Sequence, residues 1–266
     1  MKVKELYACL DKIAPFEYQE EWDNSGLLVG DMEAEVKKIL VTLDVTSDVI
    51  DMAVQSKADL IISHHPLIFS PLKKINSQNF ISKRVLKLAQ ENIGLISMHT
   101  NMDATGLEEV TRELLKINKY KPLVENEKFP NLGVGFGTVG KFIDESGNEV
   151  DITLREAVIR TKTGFMTDVV KVYGDLDSMV GKVAVCTGSG KSFIEDCLKN
   201  HCDLYITGDI TYHDALDARE RGLSIIDAGH FGTEIIFTEL VSAFLKMNIP
   251  DVEVICSNQK DVGEYM

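Results

Sequence analysis

Short apolar runs, most of them ending in Ser, Thr, Asp or His, alternate with amphipathic stretches along the chain. In the first half KKILVTLDV (37–45), ADLIISH (58–64) and IGLISMH (93–99) read as strands. A helix spans roughly 2–14, another is opened by Ser47 or Asp48, and a third lies near 82–92. A fourth starts at Thr105-x-x-Glu108, a capping-box spacing in which hydroxyl and carboxylate satisfy free amides at the helix start. This β-α-β-α-β-α order predicts a parallel sheet covered by helices.

A similar order returns in the second half. KVAVCTGSG (182–190), CDLYITGDI (202–210) and LSIIDAGH (223–230) read as strands, with helices over 191–200 and through 213–222. ADLIISHH resembles CDLYITGD, and IGLISMHT resembles GLSIIDAG. The expected fold class is therefore α/β, two related α/β domains with helix-flanked sheets and an internal duplication; the alternative is that two α/β segments look alike by composition. Between the halves, residues 129–154 alternate and are rich in Gly, which predicts antiparallel strands and turns. The expected division is a discontinuous first domain, 1–127 plus 228–266, and a second domain, 128–227. The closing helix and the strand VEVICS (252–257) return to the first domain, because His230 and Glu234 have to meet ligands from the first half.

With 44% apolar and 26% charged residues, the chain falls in the soluble globular class. The N-terminal stretch is charged and lacks an apolar signal core. No run approaches the roughly 18 apolar residues of a membrane span. A cytoplasmic location without membrane association is expected. Five cysteines, with no CxxC pair, disfavour a disulfide framework or a thiolate zinc knuckle, so any metal should be held by nitrogen and oxygen. A net charge of −14 disfavours DNA as a partner. Arg155, Arg160, Lys162 and Lys171 form a local basic stretch only.

Against this background five residues stand out: His64, His65, Asp103, His230 and Glu234. Each lies where a strand-like run ends, and loops beyond the carboxyl ends of parallel strands gather at one edge of a sheet. In a regular strand His64 and His65 point to opposite faces, so either the chain turns there or each takes a different ion. His230 and Glu234 share a face if both are helical; if Thr233 caps the helix, His230 lies in the loop before it. Glu234 has two oxygens with which to bridge two ions, and Asp103 adds a hard oxygen ligand. Five ligands are too many for one open tetrahedral zinc and too few to saturate two ions, which leaves water between the ions as a nucleophile. His99, four residues before Asp103, is the natural proton shuttle, with a ligand role ranked below. His213 is placed for substrate contact or as a surface side chain, and His201 for solvent.

Two glycine motifs are set aside. Gly135–Gly140 satisfies GxGxxG, but the residues after it read as strand and turn, not as a helix. Gly188-Ser189-Gly190-Lys191-Ser192 ends like a phosphate loop, but Val185 stands where the first Gly belongs. That turn keeps at most a weak anion site at a helix start.

Trp22-Asp23-Asn24-Ser25-Gly26, Ser63-His64-His65-Pro66, His99-Thr100-Asn101-Met102-Asp103 and Gly229-His230-Phe231-Gly232-Thr233-Glu234 together resemble the Nif-three-like dinuclear metal-centre family. Its bacterial members are commonly labelled GTP cyclohydrolase 1 type 2 homologues. The resemblance implies two divalent ions (Zn, Fe or Mn) on His64, His65, Asp103, His230 and Glu234, with Glu234 bridging. It also implies a toroidal homohexamer of two-domain α/β chains, and leaves no room here for the extra mid-chain domain of some relatives. Two functions follow from it. One is a metal-dependent hydrolase acting on a nucleotide or another phosphorylated small molecule, with GTP the named candidate, opened at C8 of the guanine imidazole ring with release of formate. The other is a metal-binding scaffold or regulatory interaction protein without turnover.

Overall fold

A computed structural model describes residues 1–264; the last two residues of the expected 228–266 segment lie outside the described residues. The chain forms two compact units. The first is Met1–Met102 with Phe237–Lys260, and the second is Asp103–Ile236 with residues 261–264.

In the first unit a five-stranded sheet runs in the order Gly26–Val29, Gly94–Ser97, Leu60–Ser63, Lys38–Thr42, Glu253–Cys256. Four of these strands are parallel, as their alternation with helices predicts. The edge strand Gly26–Val29 runs antiparallel to Gly94–Ser97, so the sheet is mixed and not purely parallel. This edge strand enters from the turn that follows Trp22 rather than through a crossover helix, which frees it from the parallel rule. Period-2 alternation divides the strand residues between two faces. Leu40, Ile61 and Leu95 pack with Val49, Ile50 and Ala53 of the Ser47–Ser56 helix and with Val85 and Leu88 of the Phe80–Gln90 helix. Ile39, Val41, Ile62 and Ile96 are wholly buried on the other face. The Ser47–Ser56 helix is capped by Thr46, whose hydroxyl accepts from Val49 N at 3.2 Å, one residue ahead of the expected cap.

The second unit holds a six-stranded mixed sheet, in the order Ile117–Glu125, Gly135–Phe142, Val183–Ser189, Leu204–Gly208, Ser224–Asp227, Lys171–Tyr173. The three strands Val183–Ser189, Leu204–Gly208 and Ser224–Asp227 are parallel and the outer pairings antiparallel. Val183, Val185, Leu204 and Ile206 face Leu154 and Ala157 of the Leu154–Gly164 helix. Ala184, Cys186 and Tyr205 face Ile194 and Cys197 of one helix and Ala215 and Ala218 of the next.

The capping box expected at Thr105 does not form. The Glu108 carboxylate turns inward, accepting from Lys119 Nζ at 2.8 Å and from Thr138 Oγ1, instead of returning to the helix start. Burial pushes its pKa up, while the hydrogen bonds from Lys119 and Thr138 work against that rise.

The Gly135–Gly140 motif is strand, as its flanking residues predict. Its glycines are steric: a Cβ at Gly135 or Gly140 would overlap the Val124 or Asn118 carbonyl of the neighbouring strand. Gly137 has φ +63°, and a Cβ there would lie 2.5 Å from Val185 O. Gly137→Ala is therefore expected to cost about 1–3 kcal/mol, from strain and overpacking together. A fall in the urea midpoint with unchanged slope is the measurement that checks it.

Candidate metal centre

In the first unit three neighbouring parallel strands bring their carboxyl ends together. Beyond Thr42 comes Asp44, beyond Ser63 come His64 and His65, and beyond Ser97 comes His99. The backbone bends after Ser63, where Ser63 Oγ donates to His65 O at 2.9 Å, and the strand alternation ends there. The His64 and His65 rings consequently stand side by side, centroids 4.9 Å apart. One ligand nitrogen from each of His64, His65 and His99 lies within 4.8 Å of the other two.

Each of these rings is held through Nδ1. His64 Nδ1 lies 2.8 Å from Met98 O, His65 Nδ1 2.9 Å from Asp44 Oδ1, and His99 Nδ1 2.7 Å from Asp23 Oδ1. A carbonyl or an ionised carboxylate only accepts, so Nδ1 carries the proton and Nε2 keeps the lone pair. Asp23 is the deepest anchor, its side chain wholly buried. Burial alone would raise its pKa, but hydrogen bonds from His99 and Thr100 and the attraction of His99 outweigh that and hold it well below the usual carboxylate range.

The second unit uses the same device. Gly229, at φ +79°, turns the chain into the His230–Glu234 helix. One turn apart on a single face, His230 Nε2 and Glu234 Oε2 are 3.0 Å from each other. Thus His230 is helical and does not lie in the loop ahead of the helix. Its Nδ1 lies 2.8 Å from Asp209 Oδ2, just beyond the Leu204–Gly208 strand. Glu234 is only 4% exposed. A carboxylate oxygen of Asp103, the last residue of the Thr100–Asp103 helix, lies within 4.8 Å of one from Glu234.

Backbone is pressed close against this pair. Gly188 N donates to Thr233 Oγ1 at 2.9 Å, and a Cβ on Gly188 would overlap Glu234 Oε1. A Cβ on Gly190 would overlap the Tyr205 and Thr207 hydroxyls. The Gly188–Ser192 segment thus has a packing role, and only a short 3-10 turn and a six-residue helix follow it.

The donor sets fit divalent metal. Neutral imidazole Nε2 atoms and close carboxylates are nitrogen and oxygen ligands of the kind Zn, Fe and Mn accept. None of the ligand groups among the described residues includes a cysteine, and burial, with the negative charges of Asp103 and Glu234, pushes the Cys186 thiol up. His99 groups with His64 and His65, so a ligand role for it is geometrically open beside the shuttle role. His213 is exposed, with its ring edge-on to Tyr212, and His201 is exposed at a helix end.

Sequence reasoning missed the three orienting carboxylates Asp23, Asp44 and Asp209. All three are visible as acids at strand ends or in the Trp22–Gly26 turn. Nothing in the sequence, however, says which histidine each one faces.

Comparison with known proteins finds similarity over the whole chain. A Clostridium acetobutylicum protein named GTP cyclohydrolase 1 type 2 homolog is 35% identical over 272 residues, covering 100% of this chain and 99% of that one. A Helicobacter pylori protein named GTP cyclohydrolase 1 type 2 is 36% identical over 245 residues, 91% of each chain. The structure of a Bacillus cereus protein related to NIF3 superposes with a TM-score of 0.88 at 22% identity, covering 100% of this chain and 99% of that one, and so shares the fold. With the Duf34/NIF3 (NGG1p interacting factor 3) model matching residues 1–262, the chain belongs to that family.

Proposed function

We propose that His64, His65, Asp103, His230 and Glu234 serve one centre for two divalent ions, and that the protein is a metal-dependent hydrolase acting on GTP. The carrying observation is the orientation of the histidines: four of the six in the chain turn Nδ1 to a carbonyl or carboxylate. Support of the second ring nitrogen in this way is the usual setting of a metal-ligating imidazole. Chain connectivity supports pooling the two sets. Asp103 ends the short helix that His99 precedes, and Glu234 stands three residues before Phe237, whose ring is 5.1 Å from that of His64. GTP as substrate rests on the Helicobacter pylori relative's name.

Ions held by these residues would supply Lewis acidity, lowering the pKa of water and neutralising negative charge that develops on oxygen. Glu234, with two oxygens, is the proposed bridge. His99 is the proposed proton carrier: Asp23 fixes its ring and stabilises its protonated form, so Nε2 can take and return a proton. Hydrolysis at C8 of the guanine ring, with loss of formate, is the reaction this constellation would serve.

The test is release of formate and ring-opened product from GTP, followed by mass spectrometry on metal-quantified protein. Wild type is expected to form product only when metal is present, and Glu234→Ala to lose it. Absence of product from fully metallated, folded protein would remove GTP as the substrate and move the search to other phosphorylated small molecules and to binding partners, whereas ready surrender of the ions to a weak chelator would favour a metal-binding scaffold.

The orienting carboxylates give a second check, independent of turnover. Asp44→Asn and Asp209→Asn should each weaken metal binding by about 10–100-fold, measured by chelator competition, with circular dichroism unchanged.

A further inference from the structure

Beside the three-histidine cluster of the first unit stand two large aromatic rings that the fold leaves open. Trp22 is 58% exposed and Phe69 is 51% exposed. Their centroids are 6.0 Å apart, and they lie 6.2 and 6.3 Å from the His99 ring, each edge-on to it. The chain segments that carry both rings are anchored while the rings themselves stay exposed. Asp23, next to Trp22, is tied to His99 and to the Thr100 amide and hydroxyl. Asn24 Nδ2 donates to Ile68 O at 2.5 Å, joining the Trp22 turn to the segment that carries Phe69. Ser25 Oγ accepts from the His99 amide at 3.1 Å, closing the frame.

An apolar ring left in solvent beside a polar cluster contributes little burial to the folded state. It gains binding energy when a flat partner covers it, and the anchored backbone beneath it limits the ordering that binding requires. The flat partner also has to suit what lies next to it. A heteroaromatic ring offers a π face to Trp22 and Phe69 and polar edge atoms to His99, whereas an aliphatic partner would bring greasy surface against imidazoles.

We propose that Trp22 forms a stacking platform for a planar heteroaromatic ring, such as a nucleobase, with Phe69, tilted 51° to it, closing the side of the platform and the ring's edge set beside His99. This deepens the reading of the centre as one acting on a nucleotide and rests on that reading. Stacking of this kind is tolerant of base identity, so guanine and adenine nucleotides should both bind while turnover selects between them.

Trp22 is the only tryptophan in the chain, so intrinsic fluorescence reports on the platform alone. Metal-free protein titrated with GTP and with ATP should show saturable quenching, and inorganic tripolyphosphate should show none. Phe69→Ala should weaken GTP binding about tenfold by the same signal. By calorimetry Trp22→Leu should weaken it about tenfold while Trp22→Phe keeps most of the affinity. Quenching by both nucleotides with no turnover would sustain the platform and remove GTP as the substrate. Turnover with no quenching, and a KM unchanged in Trp22→Leu, would remove the platform and leave the hydrolase. Trp22 emission shielded from the uncharged quencher acrylamide before any ligand is added, with a sedimentation mass above that of one chain, would mean that a second copy of the chain covers the patch, which also overturns the proposal.

Discussion

Two like charges set the terms for the second unit. Carboxylate oxygens of Asp103 and Glu234 lie within 4.8 Å of one another, and Glu234 is almost fully buried. At an effective dielectric near 20 that pair repels by about 3 kcal/mol, on top of the cost of taking Glu234 out of water. His230 beside Glu234 offsets this only if it is protonated, and the Asp209 hydrogen bond fixes its ring but adds a further negative charge nearby. A cation bound there would offset all of these terms together, and the acids, the imidazole and the close glycine backbone at Gly188 are compatible with such an arrangement.

The first unit answers a different constraint, that of holding three imidazoles at one sheet edge without collapse onto one another. Parallel strands deliver their ends to the same edge, and the acceptors come from those same ends or from the loop beside them: Met98 O, Asp44 and Asp23. Each ring is therefore fixed by a neighbouring strand or turn and not by its own. The bend after Ser63 is needed as well, since without it His64 and His65 would point to opposite faces. The centre is thus preorganised by backbone that the core packing of Leu40, Ile61 and Leu95 already makes rigid.

Much of this was legible in the sequence because period and position were strong. The strands around 40, 61, 95, 184, 205 and 225, and the Gly135–Phe142 strand in place of a nucleotide loop, follow from alternation and flanking residues. The ligand types at strand ends followed from the same logic. What was not legible depends on pairing across space. The antiparallel edges of both sheets are set by which strand a segment meets, and a propensity reading of Gly26–Val29 contains no such information. Glu108 has the spacing of a capping residue, but Lys119 and Thr138, brought to it by a neighbouring strand pair, offer its carboxylate better partners than the helix amides do. The matching of Asp23, Asp44 and Asp209 to their histidines is a tertiary fact of the same sort.

The glycine motifs carry the last step. Both the 135–140 and the 188–190 segments have a nucleotide-site look, yet at both the missing Cβ is required by a neighbour: a carbonyl on the adjacent strand in one, the Glu234 carboxylate and the Tyr205 and Thr207 hydroxyls in the other. The first segment is strand, and only a 3-10 turn and a six-residue helix follow the second, so neither has the glycine loop opening a long helix that cradles a phosphate. In the first unit Trp22 and Phe69 stand exposed beside His99, so the proposed platform would place recognition on a flat ring rather than on a phosphate.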